Sequence, residues 1–164
     1  MSASNIVLIG FMGSGKSSVA RAFAAKTKYY FLDTDALIET SQGKCVAKIF
    51  EDKNEEYFRS LEKETAEWLF SSVKEAIIST GGGMISHCDI LNKLGKVFYL
   101  KVPFETIMQR MNKQELDKRP LFKNKEKAFD LYTMRDTTYT EKADVIIDAN
   151  TSIEKIVIEI QKSI

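Results

Sequence analysis

Short apolar runs at 6–9, 29–32, 76–78, 97–100 and 145–147 punctuate the chain, each followed at once or one residue on by Gly, Asp, Thr or Lys. Runs that are nearly continuous, with no polar alternation, predict strands buried on both faces, the pattern of a parallel sheet. Between them apolar residues recur at helical spacing, as in Val19, Ala20, Phe23 and Ala24, or Phe58, Leu61, Thr65, Trp68 and Leu69, with charges on the other face. Thr151-Ser152 offers an N-cap for a last helix through Ile153, Ile156, Val157 and Ile160, and Glu154 and Lys162 suit its dipole at either end. Strands alternating with helices predict an α/β fold with a five-stranded parallel sheet flanked by helices. Ligands of such sheets bind beyond the carboxyl ends of the strands, where this sequence keeps its Gly, Asp and Thr residues.

At 164 residues, with no shift to a linker composition and no internal repeat, the chain is expected to form one domain over 1–164. Lys plus Arg total 24 against 23 for Asp plus Glu, a formal charge of +1 that argues against a dedicated nucleic-acid binder. The apolar runs stop well short of the ~20 residues of a membrane span, and no charged segment precedes the first of them, so a cytoplasmic protein with no membrane partner is expected. Cys45 and Cys88 have no paired spacing and His87 is the only histidine, which leaves zinc sites and disulfide frameworks without support.

Gly10-Phe11-Met12-Gly13-Ser14-Gly15-Lys16-Ser17 is a complete G-x-x-x-x-G-K-S between the first strand and the first helix. Polyphosphate needs many donors and no bulky side chains: the glycines let backbone N–H groups converge, the helix N-terminus adds positive potential, and Lys16 reaches the β and γ phosphates. Ser17 is placed to ligate Mg²⁺ through its hydroxyl. A dinucleotide fingerprint fails, because Met12 and Ser18 stand where it would need glycine.

Asp33-Thr34-Asp35 follows the second strand. Alone it also reads as a turn or a helix cap. After the second strand of a phosphate-loop fold, it supplies the two acidic groups phosphoryl transfer requires, one to hold the metal and one to orient an acceptor hydroxyl. Gly81-Gly82-Gly83 closes the third strand and exposes N–H groups to an anionic oxygen. Arg59, braced by Glu62, and Arg135, four residues before Tyr139, have planar forks suited to a carboxylate. The charged stretch 111–127, interrupted by Arg119-Pro120-Leu121-Phe122, reads as a mobile lid that carries Arg119 to the transferring phosphate and excludes water. Phe50 and Phe58 are candidate walls of the acceptor pocket.

Together, Gly10 to Ser17, Asp33-x-Asp35, Phe58-Arg59-x-x-Glu62, Gly81-Gly82-Gly83, Arg119-Pro120-Leu121, Arg135-x-x-x-Tyr139 and Ile147-Asp148-Ala149 resemble the bacterial shikimate kinase family in order and spacing, over essentially the whole chain. The resemblance implies a P-loop three-layer sandwich of the nucleoside monophosphate kinase group, strand order 2-3-1-4-5, with an acceptor-binding region over 33–62 and a mobile lid over 112–124. It implies phosphorylation of the 3-hydroxyl of shikimate by ATP with Mg²⁺, in the route to chorismate and the aromatic amino acids, by a chain expected to be a monomer. By the same resemblance Lys16, Asp35 and Arg119 are catalytic, and Ser17 and Asp33 hold the metal. Gly13, Ser14, Gly15, Lys16, Ser17, Ser18, Arg110 and Arg119 meet ATP, with Arg110 and the loop after Ile147 at the adenine. Asp35, Arg59, Gly81, Gly82, Gly83 and Arg135 meet shikimate. Two residues depart from the family pattern: Asn54 where many members have Gly, and Cys45 where Ser or Thr often caps the next helix. The rivals are a gluconate-type sugar-acid kinase, which Arg59 and Arg135 alone would also fit but against which the Phe-Arg-x-x-Glu, triple-glycine and Arg-x-x-x-Tyr set together favours shikimate, and a nucleotide switch, which needs no acceptor pocket.

Overall fold

The computed structural model describes residues 4–117 and 119–164; positions 1–3 of the expected domain and Lys118 of the expected lid lie outside the described residues. The strands are β1 (Asn5–Ile9), β2 (Tyr30–Asp33), β3 (Ala76–Ser79), β4 (Gly95–Lys101) and β5 (Val145–Asp148). All pair in parallel, in the order β2-β3-β1-β4-β5. Every residue of β1 and β3 is buried because neighbours flank them and helices cover both faces. The expectation of burial on both faces fails for the outermost strands: Tyr30 of β2 is 73% exposed and Ile146 of β5 is 48% exposed. An edge strand has a neighbour on one side only, and the helix layers thin out there.

The helices are α1 (Lys16–Ala25), α2 (Thr34–Gln42), α3 (Val46–Asp52), α4 (Glu55–Ser72), α5 (Met84–His87), α6 (Leu91–Leu94), α7 (Phe104–Arg110), α8 (Lys113–Asp117), α9 (Lys125–Lys142) and α10 (Ile153–Lys162). Most of the buried apolar residues form one core around the sheet. A second, small cluster of Ile38, Ile49, Phe58 and Leu61 ties α2, α3 and α4 together, so the 33–62 region has its own apolar anchor. Trp68 shares a stripe of α4 with Leu61, seven residues away, yet is 48% exposed because α2 and α3 cover that stripe only near Leu61.

Both departures from the family pattern have a local solution. Asn54 caps α4, its Oδ1 accepting from Tyr57 N–H at 2.8 Å. Cys45 makes no side-chain cap at α3; Glu39 supplies it from α2, its Oε1 accepting from Val46 N–H at 2.8 Å. Ser152, as expected, caps α10 through Lys155 N–H. Within the described residues of 111–127, α8 precedes a 3₁₀ turn at Pro120–Lys123, after which α9 begins. Phe122 anchors that turn, buried against the Phe11 ring at 6.2 Å.

Candidate active site

The loop between β1 and α1 turns because Gly13 (φ 81°) and Gly15 (φ 90°) adopt left-handed backbone that other residues rarely take. Its shape puts Lys16 at the start of α1, where Nζ donates to Gly10 O at 2.7 Å and Phe11 O at 3.1 Å. Burial lowers the Lys16 ammonium from its usual range to about 8, against the opposing pull of the Asp35 charge. Ser14 is buried beneath the loop and its N–H donates to Phe11 O at 3.1 Å, so it shapes the turn and lines neither cavity described below.

Asp33 works with both carboxylate oxygens. Oδ1 caps α2 through Ala36 N–H at 3.1 Å, while Oδ2 accepts from Ser17 Oγ at 2.6 Å. Ser79 Oγ lies 3.0 Å from Ser17 Oγ. Cap and candidate ligand are therefore the same side chain. A cavity of about 240 Å³ opens over this group, lined by Gly13, Gly15, Lys16, Ser17, Ser18, Asp33, Asp35, Ser79, Thr80 and Arg119 among others.

Beside it lies a larger cavity of about 720 Å³, between the end of the sheet and the α2–α3–α4 cluster. Met12, Asp35, Gly81, Gly82 and Arg119 line both, so a molecule in either cavity borders the other at these residues. Asp35 is half-buried at this boundary, and burial together with the neighbouring Asp33 charge raises its carboxyl above the usual range. The far wall carries Phe50 and Phe58, ring centroids 4.8 Å apart.

Two guanidinium groups converge on Gly83. A Cβ placed there would stand 2.7 Å from Nη1 and Nη2 of Arg59 and 3.0 Å from Nη2 of Arg135. Arg59 is braced within α4 by Glu62 at 2.7 Å and Glu55 at 3.0 Å. Arg135 leans over the Phe11 ring at 5.9 Å, and burial lowers its pKa. Among the described residues, two buried side-chain polar atoms have no hydrogen-bond partner: Arg135 Nη1 and Glu62 Oε1. Both belong to residues lining this cavity. Unsatisfied buried polar atoms are costly, and their convergence on one cavity points to a ligand that completes them.

The glycine triplet splits in its use. Gly81 N–H donates to Thr34 Oγ1 at 2.9 Å, so it fixes the loop to the start of α2 and has no donor left for a ligand. Gly82 is held from behind by Tyr139, whose hydroxyl donates to its carbonyl. Arg119, Pro120 and Leu121 close the larger cavity from the 3₁₀ turn. Arg110 lies elsewhere, exposed at the end of α7, with Nη2 3.4 Å from Ala149 O beyond β5. The structure thus brings together the expected site residues around two adjoining cavities, except Arg110, which lies apart, and Ser14, which is buried beneath the phosphate loop. Sequence spacing gives Thr34 and Tyr139 no role beyond their place in motifs, and Ser79 and Glu39 carry no signal in the sequence that marks them.

A sequence model described as "SKI: Shikimate kinase" matches residues 12–164. The chain belongs to the shikimate kinase family. The shikimate kinase of Helicobacter hepaticus is 44% identical over 148 residues, 90% of this chain and 88% of that one. Among solved structures, the shikimate kinase of Acinetobacter baumannii in complex with shikimate is 33% identical, with a TM-score of 0.89 over 98% of this chain and 92% of that one. That of Aquifex aeolicus is 34% identical, with a TM-score of 0.84 over 97% and 95%. The observed strand order is the one the family resemblance implied. ATP-dependent phosphoryl transfer is the chemistry of shikimate kinases, and this chain is an enzyme of that type. Among the described residues, no helix is long and apolar enough to cross a membrane.

Proposed function

We propose that this protein transfers the γ-phosphoryl group of ATP to the 3-hydroxyl of shikimate, giving 3-phosphoshikimate and ADP on the route to chorismate and the aromatic amino acids. The observation that carries the reading is the pair of guanidiniums, Arg59 and Arg135, converging beside Gly83 in a cavity that adjoins the phosphate loop at Asp35 and Arg119. A carboxylate is the ligand that two planar forks satisfy, and it completes Arg135 Nη1. A ring held there by its carboxylate, against Phe58, presents hydroxyls toward Asp35.

The chain's own residues account for the remaining chemistry. Phosphoryl transfer through a loose transition state demands alignment and charge neutralisation more than covalent participation. Lys16 meets the β and γ phosphates, and the loop of Gly13, Ser14, Gly15, Ser17 and Ser18 cradles them. Arg119, present at both cavities, neutralises charge on the group in transit. Asp35 accepts a hydrogen bond from the attacking hydroxyl and takes its proton as the oxygen–phosphorus bond forms; its raised pKa equips it for that. Arg59, Arg135, Gly82 and Gly83 hold the acceptor. Arg110 and the turn at Ala149 border the adenine.

Ser17 and Asp33 form an oxygen-only pair that suits Mg²⁺, a hard cation that keeps several waters and leans on substrate phosphates. Ser17 and Asp33 would hold the ion, which would offset the charge of the phosphates during transfer. The 112–124 segment acts as the lid and 33–62 as the acceptor-binding region of one domain. The protein works as a cytoplasmic monomer on small molecules, without nucleic acid or membrane. Arg59→Ala tests the acceptor site: shikimate binding, followed by calorimetry, should be lost while ATP binding survives. Unchanged shikimate affinity would remove Arg59 from it.

A further inference from the structure

Helix α9 carries Arg135, yet across its 18 residues only Ala128 and Tyr139 are fully buried, with Leu131 and Tyr132 half-buried against the core. So thin an apolar face fixes the rotation of a helix poorly, since apolar burial is non-directional. Directional contacts do more here. Asp136 accepts from Tyr99 Oη at 2.6 Å through Oδ1, and from Lys101 Nζ at 3.1 Å through Oδ2. Tyr99 and Lys101 are two residues apart on β4 and so project from the same face of the sheet. The Tyr99 ring is fully buried, its centroid 5.0 Å from that of Tyr139.

The helical period converts this anchor into aim. Tyr132, Asp136 and Tyr139 lie at i−4, i and i+3 and share the face against the sheet. Tyr132 donates to Val102 O at 2.8 Å at one end of that face, and Tyr139 donates to Gly82 O at the other. Arg135, one residue before Asp136, is turned about 100° from it on a 3.6-residue helix, which directs it to the glycine loop. A small roll of α9 would swing the guanidinium away from Gly83, where 3.0 Å separates Nη2 from the Cβ position.

We propose that Asp136, held by Tyr99 and Lys101, is a positioning residue that sets the rotation of α9 and thereby aims Arg135 at the acceptor carboxylate. The inference rests on the reading that Arg135 receives that carboxylate. Neither Tyr99 nor Asp136 lines the acceptor cavity, so both act through the helix.

Steady-state kinetics on the intact enzyme with Mg-ATP and shikimate provide the test, using Tyr99→Phe, Asp136→Ala, Asp136→Asn and Arg135→Ala, with thermal melting as a control. Tyr99→Phe keeps the buried ring and deletes one donor. It should raise the KM for shikimate about ten-fold, the scale on which a misaimed Arg135 loses one charged hydrogen bond to the substrate carboxylate, with kcat and the KM for ATP within about two-fold of the parent. Asp136→Ala should do the same or more, while Asp136→Asn, whose amide oxygen still accepts from Tyr99, should recover most of the loss. An unchanged shikimate KM in Tyr99→Phe overturns the proposal. So does a rise shared equally by the KM for ATP, which would mean general loosening. If Arg135→Ala also leaves the shikimate KM unaltered, the placement of the carboxylate falls with it; if only Arg135→Ala weakens shikimate, the positioning role falls alone.

Discussion

Gly83→Ala isolates the acceptor site with one methyl group. Gly83 sits at φ −95° and ψ −10°, a conformation any residue adopts, so alanine brings no backbone strain. The new Cβ would lie 2.7 Å from both terminal nitrogens of Arg59 and 3.0 Å from Nη2 of Arg135, whereas ordinary contact begins at 3.4 Å. Arg59 must therefore retreat about 0.7 Å and Arg135 about 0.4 Å. Arg59 has little freedom to do so without loosening its 2.7 Å pair with Glu62. Losing one well-aligned hydrogen bond from a guanidinium to a carboxylate costs about 1.5–3 kcal/mol, which corresponds to a shikimate KM raised roughly ten- to hundred-fold. The phosphate loop is untouched, so the KM for ATP should hold. Kinetics with each substrate varied in turn, plus a melting curve, make the assay. A shikimate KM within two-fold of the parent, in a variant that melts normally, would refute the claim that the arginines beside Gly83 bind the acceptor.

Nucleotide binding should take up protons between about pH 8 and 10.5, because phosphate returns the Lys16 ammonium from its lowered pKa toward the ordinary one. Calorimetry in buffers of different ionisation enthalpy reads this uptake; Lys16→Met should abolish it along with turnover, and uptake that persists in the variant would contradict the assignment. Asn54→Ala should destabilise the protein by about 1 kcal/mol in urea unfolding through loss of the α4 cap, and a cost indistinguishable from zero would show that Tyr57 N–H finds water equally well.

The residues around the phosphates were legible in the sequence because their chemistry is local. Gly10 to Ser17 is read from offsets that one turn and one helix impose, and the structure places Lys16 at the head of α1 accordingly. Asp33 ends a strand and Asp35 follows it, so their position at the sheet edge needs no knowledge of distant contacts. Features that depend on what lies opposite were hidden. Helical spacing put Trp68 on an apolar stripe, but only the packing of α2 and α3 decides how far that stripe is covered. The charge of 111–127 marks a candidate lid but not its local structure, which includes a 3₁₀ turn at Pro120–Lys123 with Phe122 buried against Phe11. The cap of α3 comes from Glu39, seven residues before the N–H it meets, where Cys45 offered no signal. The triplet Gly81-Gly82-Gly83 offers N–H groups in the sequence without telling which are free, and the contact between Thr34 and Gly81 takes one of them.

The central claim, a kinase with shikimate as acceptor, is tested most directly by ADP release from the purified protein with Mg-ATP alone, with shikimate and with gluconate in parallel. Release that is strong with shikimate and near background in the other two is the predicted result. Release with gluconate in preference to shikimate would contradict the acceptor assignment, and slow release indifferent to either would contradict phosphoryl transfer to an acceptor altogether.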